Sequence, residues 1–376
     1  MLRPPSLAVC ALALLLAAAP ARAEEIKIEV SRTTSRAWFS GDGLTATQGT
    51  QGEPLALVKA AAHSLTAKDG QLLLDKQPIR APLVVRPGPT PLLLEGRALP
   101  GRLEVWAEQG KLVLVNALDL EEYVAAVVSS EVPAQWPAAA LQAQSVAART
   151  YAVAQKVQLG AGARAHLGSS VLDQVYRGAA HPQGSAKAAA EATYGEVLTY
   201  QSAPIEAWFS ASCGGTSESA EAAFNTPAGS TPYAKSQGDG DADDGFRALT
   251  WTVRLPLWKL SAILKKANRA SGVVTSMAVA ETTASGRAKS VRLGTAGGGG
   301  PTLSGAELRQ LIGYTALPSL LFNVRVEGKT AVFTGRGSGH GVGLCQWGAR
   351  GRAARGESYR EILGHYYPGA EVRRMY

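Results

Sequence analysis

Two prolines, Pro133 and Pro137, interrupt a stretch of the sequence whose apolar spacing is otherwise helical. Because Pro133 disfavours the helical conformation of the residue before it, the first helix must end near Glu131. Pro137 is favourable at the start of a helix and predicts a second helix through "AAALQAQSVAARTYAVAQK". The chain therefore turns a helix–loop–helix corner, and this corner fixes the position of Glu131.

The two predicted helices carry recognisable local signals. Asp119 with Glu122 three residues later predicts a capping box at the start of the first helix. In the second helix, Gln142, Ser145 and Arg149 fall at helical spacing, so they are expected to share one polar stripe.

The first 23 residues have the features of a secretory signal peptide. Arg3 precedes an apolar run from Leu7 to Ala19, and Ala21-Arg22-Ala23 is a small-x-small cleavage site. The apolar run is shorter than the roughly 20 residues that a membrane anchor needs. Cys10 has too little apolar sequence before it for a lipoprotein anchor. We expect cleavage after Ala23 and an exported mature chain with no transmembrane anchor, located in the periplasm or in the extracellular cell wall.

Removal of the signal leaves two cysteines, Cys213 and Cys345. In an oxidising compartment they could form a disulfide, and the alternative is two buried free thiols. The net charge of +8 falls to +6 when Arg3 and Arg22 leave with the signal. A basic exported protein favours an anionic partner, here cell-wall polymer, and the aromatic and basic pattern of nucleic-acid binding is missing from the sequence.

The rest of the chain divides into two predicted regions. Residues 24–99 read as short strands with turns such as Asp69-Gly70, and His63 is expected at the surface. Residues 100–376 mix helices and strands, beginning with a hairpin that turns at Gln109-Gly110. The acidic run Asp239–Asp244 lacks the spacing of a calcium loop and predicts a solvated loop. The predicted fold class is α+β with a β-rich N-terminal region.

A glycine strip, "FTGRGSGHGVGLCQWGARG", follows near the C-terminus. In an extended strand its alternation puts every glycine on one face, where a backbone or a sugar ring could approach closely. The other face would present Arg336, Ser338 and His340. The alternative is tight strand packing in a core. The strip lacks the glycine spacing of dinucleotide and phosphate loops, and we expect no cofactor.

The chain resembles the SpoIID/LytB family, whose motifs it carries in order over about residues 100–376. The matching segments are "EYVAAVVSSEVPAQWPAAALQAQSVAARTYA", "DQVYRG", "EVLTYQSAPIEAWFSASCGG", "SGAELRQLIG" and "GRGSGHGVGLCQWGARGRAARGESYREILGHYYPG". The resemblance implies a SpoIID/LytB-like catalytic domain over residues 100–376 with a central cleft. It also implies a cell-wall protein, first known from sporulation, that acts on peptidoglycan glycan strands. Such a protein is expected to be a lytic transglycosylase or, alternatively, a non-catalytic glycan-binding modifier of a cell-wall amidase.

The resemblance further implies roles for single residues. Glu131 matches the family's acidic residue and is expected to be the catalytic general acid and base. The alternative is a helix-end carboxylate that merely satisfies backbone groups or pairs with Arg149. Cys213 and Cys345 each lie in a matched motif, so we expect them to lie close together. The remaining matched residues are expected to contact the glycan: Gln144, Arg149, Tyr151, Ser210, Ser212, His340, Gln346 and Trp347.

Some positions depart from the family pattern. Ala139 and Gln142 stand where Glu and Lys are usual, which affects the expected level of activity. Gly168, Leu172 and Asp173 stand where many members have a Cys and His cluster, so the zinc site of those members is not expected here.

Overall fold

The computed structural model describes residues 24–57, 62–160, 162–169, 174, 176, 178, 184–239, 249–270 and 272–376. The predicted signal peptide, Leu172 and Asp173 lie outside the described residues. The fold is mixed α+β with a β-rich N-terminal region, as predicted. Within the described ranges, no helix has the length and apolar character needed to cross a bilayer. The division of the chain at residue 100 stays a prediction.

Two antiparallel sheets build the N-terminal region and share one apolar core. In spatial order, the seven-stranded sheet consists of β13 (Leu167–Gly168), β1 (Glu25–Ser31), β12 (Lys111–Asp119), β11 (Arg102–Glu108), β8 (Leu83–Arg86), β3 (Thr45–Gln48) and β4 (Glu53–Leu55), with only the β13–β1 pair parallel. The six-stranded sheet consists of β10 (Arg97–Leu99), β9 (Leu92–Leu94), β2 (Arg36–Ser40), β5 (His63–Lys68), β6 (Gln71–Leu74) and β7 (Gln77–Ile79).

The predicted hairpin turns in this region are confirmed. Asp69-Gly70 and Gln109-Gly110 have positive φ angles at both residues, which is the conformation that two-residue hairpin turns require. The prediction for His63 is wrong, because the side chain is only 5% exposed. The strand turns it inward, and its Nδ1 lies 2.7 Å from a carboxylate oxygen of Asp75.

The helix–loop–helix corner forms as predicted. Helix α1 (Leu120–Glu131) ends at Glu131, and Val132 is extended with φ −134° and ψ 147°. The carboxylate of Asp119 caps its start by accepting two backbone N–H groups. Helix α2 (Ala138–Leu159) begins directly after Pro137, which is its N-cap residue.

Helix α2 is buried around most of its circumference, because it contributes side chains to two apolar cores. The predicted polar stripe is therefore wrong. Ser145 and Arg149 are both fully buried. The hydroxyl of Ser145 donates to the carbonyl oxygen of Leu141 at 2.8 Å, so it is satisfied inside the helix.

Four small sheets and six further helices complete the described part of the chain. The strands are β15 (Ala203–Pro204), β14 (Glu196–Tyr200) and β24 (Glu371–Arg374); β16 (Phe209–Ser210) and β23 (Leu344–Cys345); β17 (Thr250–Pro256), β22 (Thr330–Arg336) and β21 (Phe322–Glu327); β18 (Val274–Thr282), β19 (Ala288–Thr295) and β20 (Thr302–Ser304). The helices are α3 (Gly184–Ala192), α4 (Ala220–Phe224), α5 (Leu257–Lys266), α6 (Gly305–Ile312), α7 (Gln346–Ala354) and α8 (Tyr359–Tyr366). The parallel pair β16–β23 brings two distant sequence motifs together, next to α7.

Candidate functional site

Glu131 and Gln346 are in contact although 215 residues separate them in the chain. Gln346 is the first residue of α7 and is 4% exposed. Its Nε2 donates a hydrogen bond to Oε2 of Glu131 at 3.2 Å. Glu131 is partly buried at the last position of α1. The contact therefore joins "SSEVPAQWP" to the glycine strip.

Two tryptophans from the same two motifs pack against each other. The ring centroids of Trp136 and Trp347 are 5.3 Å apart, with an interplanar angle of 61°. The guanidinium carbon of Arg350 lies 5.1 Å from the centroid of the Trp347 ring. All three side chains are partly exposed. They add an aromatic and cationic surface to the elements that carry Glu131 and Gln346.

Cys345 holds the start of α7, which carries Gln346 and Trp347. It is the N-cap residue, and its sulfur accepts the N–H of Gly348 at 3.3 Å. The same sulfur accepts the backbone N–H of Cys213 at 3.2 Å. The backbone N–H of Trp347 donates to the carbonyl oxygen of Ala211 at 3.1 Å. The segment around Cys213 thus fixes the first turn of α7.

The glycine strip is not the extended strand that its alternation predicted. Strand β22 ends at Arg336, and the alternate glycines that follow have positive φ, for example 105° at Gly339 and 68° at Gly343. A Cβ on Gly339 would lie 2.5 Å from Cβ of Ser210, and one on Gly343 would collide with the carbonyl oxygen of Trp208. The atoms that approach these glycines closely therefore belong to the protein itself, at Trp208 and Ser210. The strip forms a loop with positive φ angles and not an extended strand.

Ser210 and Ser212 lie against this loop, and both are buried. The hydroxyl of Ser210 accepts the N–H of Gly341 at 3.2 Å. The hydroxyl of Ser212 accepts the N–H of Gly214 at 3.1 Å, while its backbone pairs with Ser338. In these bonds the two serines hold the strip to the segment that contains Cys213.

His340 is held as a neutral imidazole. Desolvation by burial lowers its pKa to about 3, and the charges of Arg309 and Arg287 act in the same direction. Its Nδ1 accepts the N–H of Val342 at 3.0 Å, which leaves only Nε2 to carry the ring proton. The ring also packs edge-on against Phe224, with centroids 5.1 Å apart. This ring therefore carries no charge at neutral pH.

Arg149 does not pair with Glu131. It is fully buried, and its guanidinium makes two hydrogen bonds to the carboxylate of Glu121, at 2.7 and 2.5 Å. It also donates to the carbonyl oxygens of Ala190 and Glu196, each at 3.1 Å. These bonds give Arg149 a structural role between α1, α3 and β14.

The other matched residues of α2 are also buried. Tyr151 belongs to the apolar core that α1 and α2 share. Gln144 is 1% exposed, and neither amide atom of its side chain has a hydrogen-bond partner within the described ranges. Ala139 and Gln142, which depart from the family pattern, are partly exposed. Gly168 lies in β13, at the edge of the seven-stranded sheet.

Sequence reasoning missed Asp239, because an acidic run predicts solvent exposure. Residues 240–244 lie outside the described ranges, but Asp239 itself is 3% exposed. The hydroxyl of Tyr366 donates to both its carboxylate oxygens at 2.8 Å. Burial alone would raise the pKa of Asp239, yet hydrogen bonds from His365 and Tyr366 and the charge of Arg352 lower it below its usual value. A solvated loop is thus the wrong description of this residue.

Asp239 lies beside both cysteines, which are free buried thiols. One donor atom each of Cys213, Asp239 and Cys345 lies within 4.8 Å of the others. Of the described residues, this is the group that could hold a metal ion. The Cys213 thiol donates to the Asp239 carboxylate at 3.5 Å, and the hydroxyl of Tyr366 donates to the same carboxylate. The Cys345 sulfur accepts a backbone N–H, so hydrogen bonding also explains why the three side chains lie together.

Comparisons with known proteins identify relatives of this chain. Residues 108–200 match the family model of the stage II sporulation protein SpoIID, and residues 234–343 match a domain of unknown function (DUF8618). The chain is 34% identical to stage II sporulation protein D of Bacillus amyloliquefaciens, over 69% of this chain and 75% of the relative. It is 31% identical to an uncharacterised protein of Brachyspira hyodysenteriae, over 69% and 68% of the two chains. It is 30% identical to the amidase enhancer of Bacillus subtilis, over 65% of this chain and 39% of that relative.

Proposed function

Because the chain belongs to the SpoIID/LytB family, we propose that it cleaves the glycan strands of peptidoglycan as a lytic transglycosylase. Glu131 is the proposed general acid and base. The observation that carries this proposal is the hydrogen bond from Gln346 to Glu131, which joins the lone acid of one motif to the glycine strip. The proposed cleft runs where Glu131, Trp136 and Trp347 come together.

One carboxyl group suffices for this reaction, whereas ordinary glycosidases use two. The protonated Glu131 gives its proton to the glycosidic oxygen as the bond to C1 breaks. The resulting carboxylate then takes the proton of the same sugar's C6 hydroxyl, whose oxygen attacks C1. The products are a 1,6-anhydro sugar end and a new free end, and no water is consumed.

The surroundings of Glu131 suit an acid that must be protonated before reaction. A carboxylate at the last residue of a helix faces the negative end of the helix dipole, which favours the neutral form. Val132 is buried beside it, and Trp136 of the same corner packs against the apolar core. The amide of Gln346 donates to one oxygen and thereby orients the carboxyl group.

Aromatic and cationic side chains supply the proposed substrate contacts. The partly exposed rings of Trp136 and Trp347 offer apolar faces on which sugar rings can stack. Arg350 offers a cation for the carboxylates of peptidoglycan stem peptides. Gln144, with its unpartnered buried amide, is retained as a candidate contact, whereas Arg149 is already committed to Glu121.

Mass analysis of products from purified glycan strands tests the proposal. Wild-type protein is expected to release fragments with anhydro ends, lighter than hydrolysis products by the mass of one water molecule. Glu131→Gln should abolish release because the amide keeps the shape but cannot exchange the proton. Glu122→Gln, on the exposed side of the same helix, is the matched control and should remain active. Cleavage by Glu131→Gln at the wild-type rate would contradict the assignment.

The second candidate is a non-catalytic glycan-binding partner of a cell-wall amidase. It is favoured by the similarity to the amidase enhancer and by Ala139 and Gln142 at positions where the family usually has charged residues. Under this alternative, the purified protein binds strands, releases no anhydro ends and raises the rate of an added amidase. Both candidates require an exported protein, which agrees with the predicted signal peptide.

A further inference from the structure

Helix α5 exposes a tryptophan to solvent. Trp258 is 70% exposed, the largest fraction among the exposed large apolar side chains of the described residues. Val273, which follows the helix, is 59% exposed and lies beside it, because the N–H of Val274 donates to the hydroxyl of Ser261 at 2.9 Å. Large apolar side chains that are exposed this fully are typical of interaction surfaces.

The helix separates an apolar face from a basic face. Leu257, Leu260 and Leu264 are buried in the core of this part of the chain. Trp258 and Lys265, seven residues apart, fall together on the opposite side. Lys259 and Lys266, also seven residues apart, flank them on the solvent side of the helix. The tryptophan and the three lysines are all exposed.

The basic face carries no compensating acid. The sequence of α5, "LWKLSAILKK", contains three lysines and no acidic residue. None of the three lysines forms an ion pair within the described ranges. A fourth, exposed Lys329, lies at the start of the helix, where its carbonyl oxygen accepts the N–H of Leu257 at 2.9 Å.

We propose that this surface, formed by Trp258, Val273 and the lysines of α5 with Lys329, docks the protein on an anionic lipid bilayer. The lysines match the negative charge of the lipid headgroups, while their long stems lie along the interface. Tryptophan favours the boundary between headgroups and acyl chains, where one edge of the ring is apolar and the other is wet. A soluble anionic polymer needs only the lysines, so the two exposed apolar side chains favour a bilayer.

Co-sedimentation with vesicles tests the proposal on the chain from Glu24 onward. The protein is expected to bind vesicles that contain phosphatidylglycerol, not vesicles of phosphatidylcholine alone, and to bind more weakly as salt is added. Trp258→Ala and the double variant Lys265→Glu/Lys266→Glu should each weaken binding by about tenfold or more. Trp38→Ala removes a tryptophan that is 49% exposed in the N-terminal sheet, so it is the matched control and should bind as wild type does.

Two outcomes would overturn the proposal. Binding that is equal on the two kinds of vesicle, or undiminished in the α5 variants, would show that this surface does not recognise anionic lipid. Failure to bind vesicles combined with lysine-dependent binding to soluble polyglycerol phosphate would assign the surface to a wall polymer. The vesicles contain no glycan, so Glu131→Gln is expected to bind like wild type, and the result is independent of the proposed cleavage.

Discussion

Replacing Arg149 with alanine is expected to destabilise the fold. The change removes five hydrogen bonds of the guanidinium and leaves the Glu121 carboxylate without its cation. Breaking a buried ion pair in this way costs about 3–5 kcal/mol. The Glu121 side chain is 15% exposed and keeps two other donors, the N–H of Gly195 and the hydroxyl of Tyr376. We therefore expect the lower end of the range, about 3 kcal/mol.

The conservative variant Arg149→Lys separates charge from geometry. Lysine keeps the positive charge but lacks the planar fork that binds both oxygens of Glu121, so a loss of about 1–2 kcal/mol is expected. Lys187→Ala is the surface control: its ion pair with Glu191 is exposed, at 3.8 Å, and its loss should change stability by no more than about 0.5 kcal/mol.

Urea unfolding, followed by circular dichroism, measures these differences. The midpoints should fall in the order wild type, Arg149→Lys, Arg149→Ala, with an unchanged slope of free energy against urea. The reasoning is refuted if Arg149→Ala unfolds with nearly the wild-type free energy but binds glycan strands more weakly. That result would mean that Arg149 reaches the substrate, as the resemblance of its motif implied.

Three further predictions concern the site. Gln346→Leu should lower kcat for strand cleavage about tenfold with KM little changed, since it removes the donor that orients Glu131; an unchanged kcat would count against this role. Because the pKa of His340 is lowered from 6.5 to about 3, the unfolded chain binds a proton in that window that the folded chain does not. The free energy of unfolding should therefore rise with pH between those values, by up to about 1.4 kcal/mol per unit, and His340→Gln should remove this slope in acid titrations. Oxidised glutathione should join Cys213 and Cys345 in a disulfide, which mass spectrometry would detect as a chain lighter by two hydrogens. The free energy of unfolding should rise by about 3–5 kcal/mol, less any strain in the bond. A stable mixed disulfide with glutathione would contradict this prediction.

Local signals in the sequence predicted local structure well. The turn at Gln109-Gly110, the cap that Asp119 places at the start of α1 and the end of α1 before Pro133 all form as expected. Each depends on steric or hydrogen-bonding rules that act within a few residues. Such rules need no knowledge of which distant segment packs nearby.

The glycine strip shows where this reasoning stops. Alternating glycines are typical of a strand with one bare face, but the same alternation serves a loop in which glycines adopt positive φ. At Gly339 and Gly343 the deciding contacts come from Ser210 and Trp208, more than a hundred residues earlier. Periodicity within the strip carries no information about that neighbour.

Matching residues to a family also leaves their roles open. Gln346 and Trp347 contact the corner that holds Glu131 and Trp136, whereas Arg149 is fully enclosed by the protein. Gln346, Trp347 and Arg149 were all expected to contact glycan. A motif contains residues needed for folding as well as residues needed for binding, so a match alone does not distinguish them. Burial and hydrogen-bond partners, which only the structure supplies, separate the two groups.

A buried sulfur atom holds the helix turn that carries the amide donor to Glu131. Serine would be the more usual N-cap residue, but Cys345 accepts two backbone N–H groups from different segments, at 3.2 and 3.3 Å. Sulfur is larger than oxygen and sits farther from Cβ, so one atom can span the gap between Cys213 and the first turn of α7. That turn carries Gln346, whose amide reaches Glu131. The buried carboxylate of Asp239, against which the Cys213 thiol rests, closes the other side of the link. A motif can identify each of these residues, but only their packing shows that they act in series to orient one carboxyl group.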